Sequence, residues 1–144
     1  MSDRTRRRLS GHANLYTVVA SCPCNGNNNN NGNGLPPAGQ VVKVPLGGGP
    51  STTLARFTGQ VGGVDLDATN IYWSTDTAAW SVPRAGGAAT PVAGNLAAGS
   101  APYICNNSCG GSGQSATTAI AVGATSLYLA VTAPADNAVL EVAK

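Results

Sequence analysis

A chain of 144 residues, 42% apolar and only 10% charged, fits one domain with a substantial core. Its 19 glycines and 9 prolines argue against long helices and for many short strands joined by tight turns. The formal charge of +2 is too small to argue for nucleic acid, and Arg4, Arg6, Arg7 and Arg8 hold half of the basic residues in one short arm. No apolar run approaches the roughly 20 residues that span a bilayer.

Residues 1–10 read as a basic N-terminal arm, and a repeated unit begins at Gly11. Asn14-Leu15-Tyr16 recurs as Asn70-Ile71-Tyr72 and as Ser126-Leu127-Tyr128, at intervals of 56 residues. Each copy predicts a strand opening with an aliphatic residue and tyrosine, and the turn before it reads Ala-Thr-Asn or Ala-Thr-Ser in the second and third copies. The run Leu15–Ala20 is followed by an insertion at 22–39. A further strand follows, Val41–Pro45, then a Gly47-Gly48-Gly49 turn and a last strand over Ser51–Ala55. In the second unit the corresponding pieces are Val64–Asp67, Ile71 onward, Ala79–Pro83, the Gly86-Gly87 turn and Ala89–Ala93. Its last two strands lie at a constant offset of 38 from those of the first. A second insertion, 96–115, leads to Thr118–Val122, Leu127–Val131 and Val139–Ala143.

Four short antiparallel strands, repeated in one register, are the pattern of a propeller blade; a β-sandwich has no reason to repeat it. Blades stack face to face, so the continuous apolar runs Leu15–Ala20 and Leu127–Val131 are expected to be covered on both sides. The expected fold is all-β: a partial β-propeller of about three four-stranded antiparallel blades, approximately 11–56, 61–94 and 117–144. The innermost strand of the first blade would fall on the basic stretch Arg6–Ser10, so that blade is expected to lack it. The third is expected to lack its outermost strand.

The stretch Val64-Asp65-Leu66-Asp67-Ala68-Thr69-Asn70-Ile71-Tyr72-Trp73, followed by Trp80-Ser81-Val82-Pro83-Arg84-Ala85-Gly86-Gly87, resembles repeats of six-bladed propellers of the YWTD and TolB-like groups. It is most similar to the bacterial extracytoplasmic type in which DATNVYW and KVPxxGG recur from blade to blade. Tyr72-Trp73-Ser74-Thr75-Asp76 keeps the Tyr-Trp pair and a nearby Asp, with an inserted Ser breaking the strict motif. The resemblance covers the chain from Gly11 onward and implies a fold rather than an activity. Three blades do not close a ring, since propellers have about four to eight. Two completions follow: missing blades of a longer chain, which is favoured, or a homodimer of half-rings.

The four cysteines form two close pairs, Cys22/Cys24 and Cys105/Cys109, one in each insertion. In an up-and-down blade both insertions emerge on one face of the disc, the usual place for partner contacts. Disulfides in an oxidising compartment explain them better than a zinc site of four thiolates, whose common C-x2-C spacing is absent. The pairing stays open among three connectivities. The Asn/Gly tract Asn25–Gly34 has the composition of a solvated loop tip and lacks the carboxylates of a calcium loop.

Catalysis finds no footing in the residue pattern. The single histidine, His12, occupies a turn where the other units carry Ala68 and Ala124, and no acidic group orients it. Asp65 is placed at the central channel, Asp67 at the start of a turn, and Asp76 completes no carboxylate pair across a cleft. Gly47-Gly48-Gly49 lacks the Gly-Lys-Ser/Thr ending of a phosphate loop. Trp73 and Trp80 read as packing between blades. The N-terminal stretch imitates a lipoprotein signal with Cys22 as the lipidated residue, but it aligns with a strand of the repeat and is better read as structure.

The expectation is therefore a non-catalytic binding or scaffolding module without a cofactor or metal. The cysteines and the resemblance place it outside the cytoplasm. Its loop-bearing face would contact a protein or a glycan. The competing expectation is part of a six-bladed lactonase- or glycosidase-type enzyme.

Overall fold

The computed structural model describes residues 7–11, 13–21, 38–59, 61–75, 77–94, 117–132 and 137–144. Alternating apolar residues and glycine-punctuated turns produce three antiparallel sheets. Sheet 1 is β1 (Arg7–Gly11), β2 (Asn14–Ser21), β3 (Ala38–Pro45) and β4 (Thr52–Thr58). Sheet 2 is β5 (Val61–Leu66), β6 (Asn70–Thr75), β7 (Ala78–Pro83) and β8 (Thr90–Gly94). Sheet 3 is β9 (Thr117–Val122), β10 (Ser126–Thr132) and β11 (Asn137–Ala143). Within each sheet the strands follow chain order, and β5 lies against both β1 and β9. The fold is an all-β partial propeller, its sheets meeting along their innermost strands.

The repeat extends to single hydrogen bonds. The amide after the third strand donates across to the turn before the second strand in every sheet. The bonds run from Leu46 to Ala13 O (3.0 Å), Arg84 to Thr69 O (2.8 Å) and Lys144 to Thr125 O (3.1 Å). Where the chain turns from third to fourth strand, Gly48 (φ 89°) and Gly86 (φ 98°) occupy the left-handed region that a Cβ disfavours. Each donates to the proline that ends the third strand, Pro45 and Pro83.

Two apolar layers separate the three sheets. Tyr16, Val18 and Val41 of sheet 1 meet Val64, Ile71, Trp73 and Val82 of sheet 2. Tyr72 and Ala79, on the other face of sheet 2, meet Ile120, Leu127, Leu129 and Val131 of sheet 3. Successive residues Ile71, Tyr72 and Trp73 thus enter opposite layers, as the two-residue strand period requires. Residues Ile71 through Thr75 of β6 are all buried.

Two expectations need correction. Sheet 1 does have an innermost strand: β1 pairs with β2 from Arg7↔Val18 to Gly11↔Asn14, so residues 7–10 belong to the sheet. Strand pairing uses main-chain groups, and basic side chains argue only against burial on both faces. The apolar run Leu127–Val131 is covered on one face only, since Leu127, Leu129 and Val131 are buried while Tyr128 is 42% exposed. In the run Leu15–Ala20, likewise, Tyr16 and Val18 are buried while Leu15 and Val19 are only half-buried. Coverage on both sides belongs to the middle sheet. Sheet 3 has three strands among the described residues, as expected. No helix among the described residues is long and apolar enough to cross a membrane.

Candidate ligand-binding cleft

Two cross-strand pairs build a cleft between the outer parts of sheets 1 and 2. In sheet 1 Gly39 lies opposite Phe57. A Cβ on Gly39 would fall 2.2 Å from Phe57 Cζ, so the ring occupies the space the glycine leaves. In sheet 2 Trp73 lies opposite Trp80, and their rings stack at 6.5 Å between centroids with an interplanar angle of 14°. Phe57 reaches across to Trp73 at 5.8 Å. The resulting cleft of about 520 Å³ is lined by these three aromatic residues with Ala38, Gly39, Arg56, Thr58 and Ala89. That volume lies within the ~300–1,000 Å³ of small-ligand sites.

Trp73 is 1% exposed, and its indole Nε1, a donor with no acceptor capacity, has no hydrogen-bond partner among the described residues. Trp80 and Phe57, which also line the cleft, are half-buried. Ala38 begins β3, Thr58 ends β4, and both lie at the end of sheet 1 from which the β2–β3 connection leaves. The cleft therefore approaches the end of sheet 1 where β2 stops and β3 starts.

At the opposite end of the strands, polar side chains tie sheet to sheet. Arg84 donates from Nε to the Tyr16 hydroxyl at 3.2 Å and lies 5.0 Å from the Tyr16 ring centroid. Its Nη1 also donates to the carbonyls of Asp67 and Ala68, both at 3.2 Å. One repeat later, Lys144 Nζ lies 5.8 Å from the Tyr72 ring centroid and donates to Asp67 Oδ2 at 2.8 Å. Each is a cation on a tyrosine of the preceding sheet.

Asp67 is the hub of the second clasp. Its Oδ1 accepts from the amides of Thr69 (2.9 Å) and Asn70 (2.8 Å), and its Oδ2 accepts from Tyr72 (3.0 Å) and Lys144. Burial opposes ionisation, but Lys144, the two amides and Tyr72 outweigh it, and the carboxyl is held well below the usual carboxylate range. Burial pushes the Tyr72 hydroxyl up, with Asp67 adding to the shift. The bond to Asp67 raises Lys144.

Asp65 ties sheet 2 to sheet 3. Its Oδ2 accepts the Val122 amide of sheet 3 at 2.8 Å, and its Oδ1 accepts the Leu66 amide at 2.8 Å. It is a staple between sheets. Asp67 does start the turn between β5 and β6, and Trp73 is packing between sheets, as read from the sequence. Cys22, Cys24, Cys105, Cys109, the Asn/Gly tract, His12 and Asp76 lie outside the described residues. Among the described residues, no group of three His, Cys, Asp or Glu side chains can hold a metal.

Sequence reasoning missed Gly39 and Phe57, whose partnership shows only once the register is known. It also missed the clasps. The signal was present in Arg84 and Lys144, each following its unit's third strand. No protein family, curated protein or solved structure matches the chain.

Proposed function

We propose that the chain is a non-catalytic binding and scaffolding segment of an exported bacterial β-propeller, and that its loop-bearing face takes a glycan. One observation carries this reading: the cleft lined by the aromatic residues Phe57, Trp73 and Trp80. A sugar ring offers apolar C–H faces to stack on the half-buried rings of Phe57 and Trp80 that line the cleft. Two of the described carboxylates are taken up by structure. Asp65 and Asp67 are both committed to amides and to neighbouring sheets, which leaves neither free as an acid or base in the cleft. Export rests on the cysteine pairs and on the resemblance to extracytoplasmic repeats.

Titration of tryptophan emission with soluble cello-, chito- and manno-oligosaccharides tests the proposal. Binding of one of them is expected, with Trp80→Ala weakening it by more than about tenfold. Emission unchanged by every oligosaccharide at millimolar concentration refutes the glycan reading.

A further inference from the structure

The described sheets make two joints, and the repeat defines the two halves of a third. At each observed joint a tyrosine of the preceding sheet lies beneath the residue that follows the next sheet's third strand. Tyr16 meets Arg84 and Tyr72 meets Lys144. The remaining members of this set are Tyr128 in sheet 3 and Leu46 in sheet 1. Leu46 follows Pro45 as Arg84 follows Pro83, and its amide makes the same bond to the turn before the second strand. Tyr16 and Tyr72 are 2% and 4% exposed, whereas Tyr128 is 42% and Leu46 59% exposed.

The surfaces around these two residues repeat the same logic. The aliphatic pairs Ile71↔Val82 and Leu127↔Val142 face the preceding sheet and belong to the two apolar layers. Sheet 1 carries the equivalent pair, Leu15↔Val44, on its face turned away from sheet 2. Sheet 3 presents Tyr128, Ala121 and Val139 on its outward face, with Val139 73% exposed. The third set keeps the tyrosine ring and changes the residue that would lie over it. Leu46 stands where the other joints have a cation, and the Tyr128 hydroxyl donates within its own sheet to Glu141 Oε1 at 3.4 Å, as the Tyr72 hydroxyl does to Asp67 Oδ2. An apolar side chain over a ring whose hydroxyl already has an acceptor is a self-consistent contact.

We propose that sheet 3 of one chain is covered by sheet 1 of a second copy, with Leu46 of each copy on Tyr128 of the other. The contact is head to tail, and two such joints close two copies of three sheets into one ring with no open sheet face. The proposal is independent of glycan binding, which uses the cleft between sheets 1 and 2.

Sedimentation of the full chain tests it. A mass of two chains is expected, with Leu46→Asp and Tyr128→Asp each raising the dissociation constant by more than about tenfold. Both residues are exposed within a chain, so an unchanged β-sheet circular dichroism spectrum is expected, and Val139→Asp serves as a third variant on the same face. An equimolar mixture of Leu46→Asp and Tyr128→Asp chains restores one intact joint and is expected to recover two-chain species. A wild-type chain that sediments alone throughout the micromolar range overturns the proposal. So does a two-chain species indifferent to all three substitutions, or a mixture that associates no better than its components.

Discussion

Asp67 shows how one carboxylate can serve a turn and a joint at once. Two amides fix its Oδ1 and close the turn, while Oδ2 holds Tyr72 and Lys144 across the sheets. Because its pKa is depressed in the fold, its contribution is fully present above the unfolded value of about 3.9 and is lost as pH falls below that value. Tyr72 and Lys144 are both raised, so their contributions hold below about pH 10 and fade above it. The stability curve should therefore be flat between these limits on account of this cluster. Asp67→Asn is expected to cost on the order of 1 kcal/mol at neutral pH, since partial exposure screens the charge. It should also flatten the acid limb. Urea unfolding from pH 2 to 7 measures both, and an acid limb as steep in the variant as in the parent would remove Asp67 from this role.

At the scale of strands, the sheets approach one another where a side chain is missing. Gly63 on β5 faces β9 so closely that a Cβ would stand 2.8 Å from the Ile120 amide nitrogen and 3.2 Å from Ala119 Cα. Main chain cannot yield as a flexible side chain can, so Gly63→Ala must push β5 and β9 apart. An overpacked contact of this kind costs about 1–3 kcal/mol, and a lowered thermal midpoint for Gly63→Ala checks it. Nothing in the sequence marks Gly63 out from the glycines of the turns, because the approach is between strands 57 residues apart. The strands themselves were legible, since aliphatic-Tyr repeats and Gly-rich turns encode local structure. β1 was not legible: the charge of Arg7 and Arg8 suggests solvent, while its pairing to β2 is decided by main-chain geometry. The cleft was half legible. Trp73 and Trp80 stood out by type, but Phe57 joins them only through a register that places it over Gly39.

Among the described residues, the two apolar layers join sheet 2 to sheet 1 on one side and to sheet 3 on the other, so the stability of this stack should be a sum of sheets and joints. The two apolar layers share no residue, yet both are built on sheet 2. Ile71 and Leu129 are fully buried, one in each layer. Truncating either to alanine removes comparable aliphatic volume and should cost about 2–5 kcal/mol. Ile71 points toward sheet 1 while Leu129 reaches sheet 2 from the other side, so the two cavities do not merge. If the stack behaves as independent joints, the double variant should lose the sum of the single losses to within about 0.5 kcal/mol. If sheet 2 transmits strain from one face to the other through Tyr72 and its neighbours, the double loss will depart from that sum by more. Equilibrium unfolding of the two single variants and the double variant measures the coupling. Departure beyond that margin would mean that the middle sheet responds as one body to both joints.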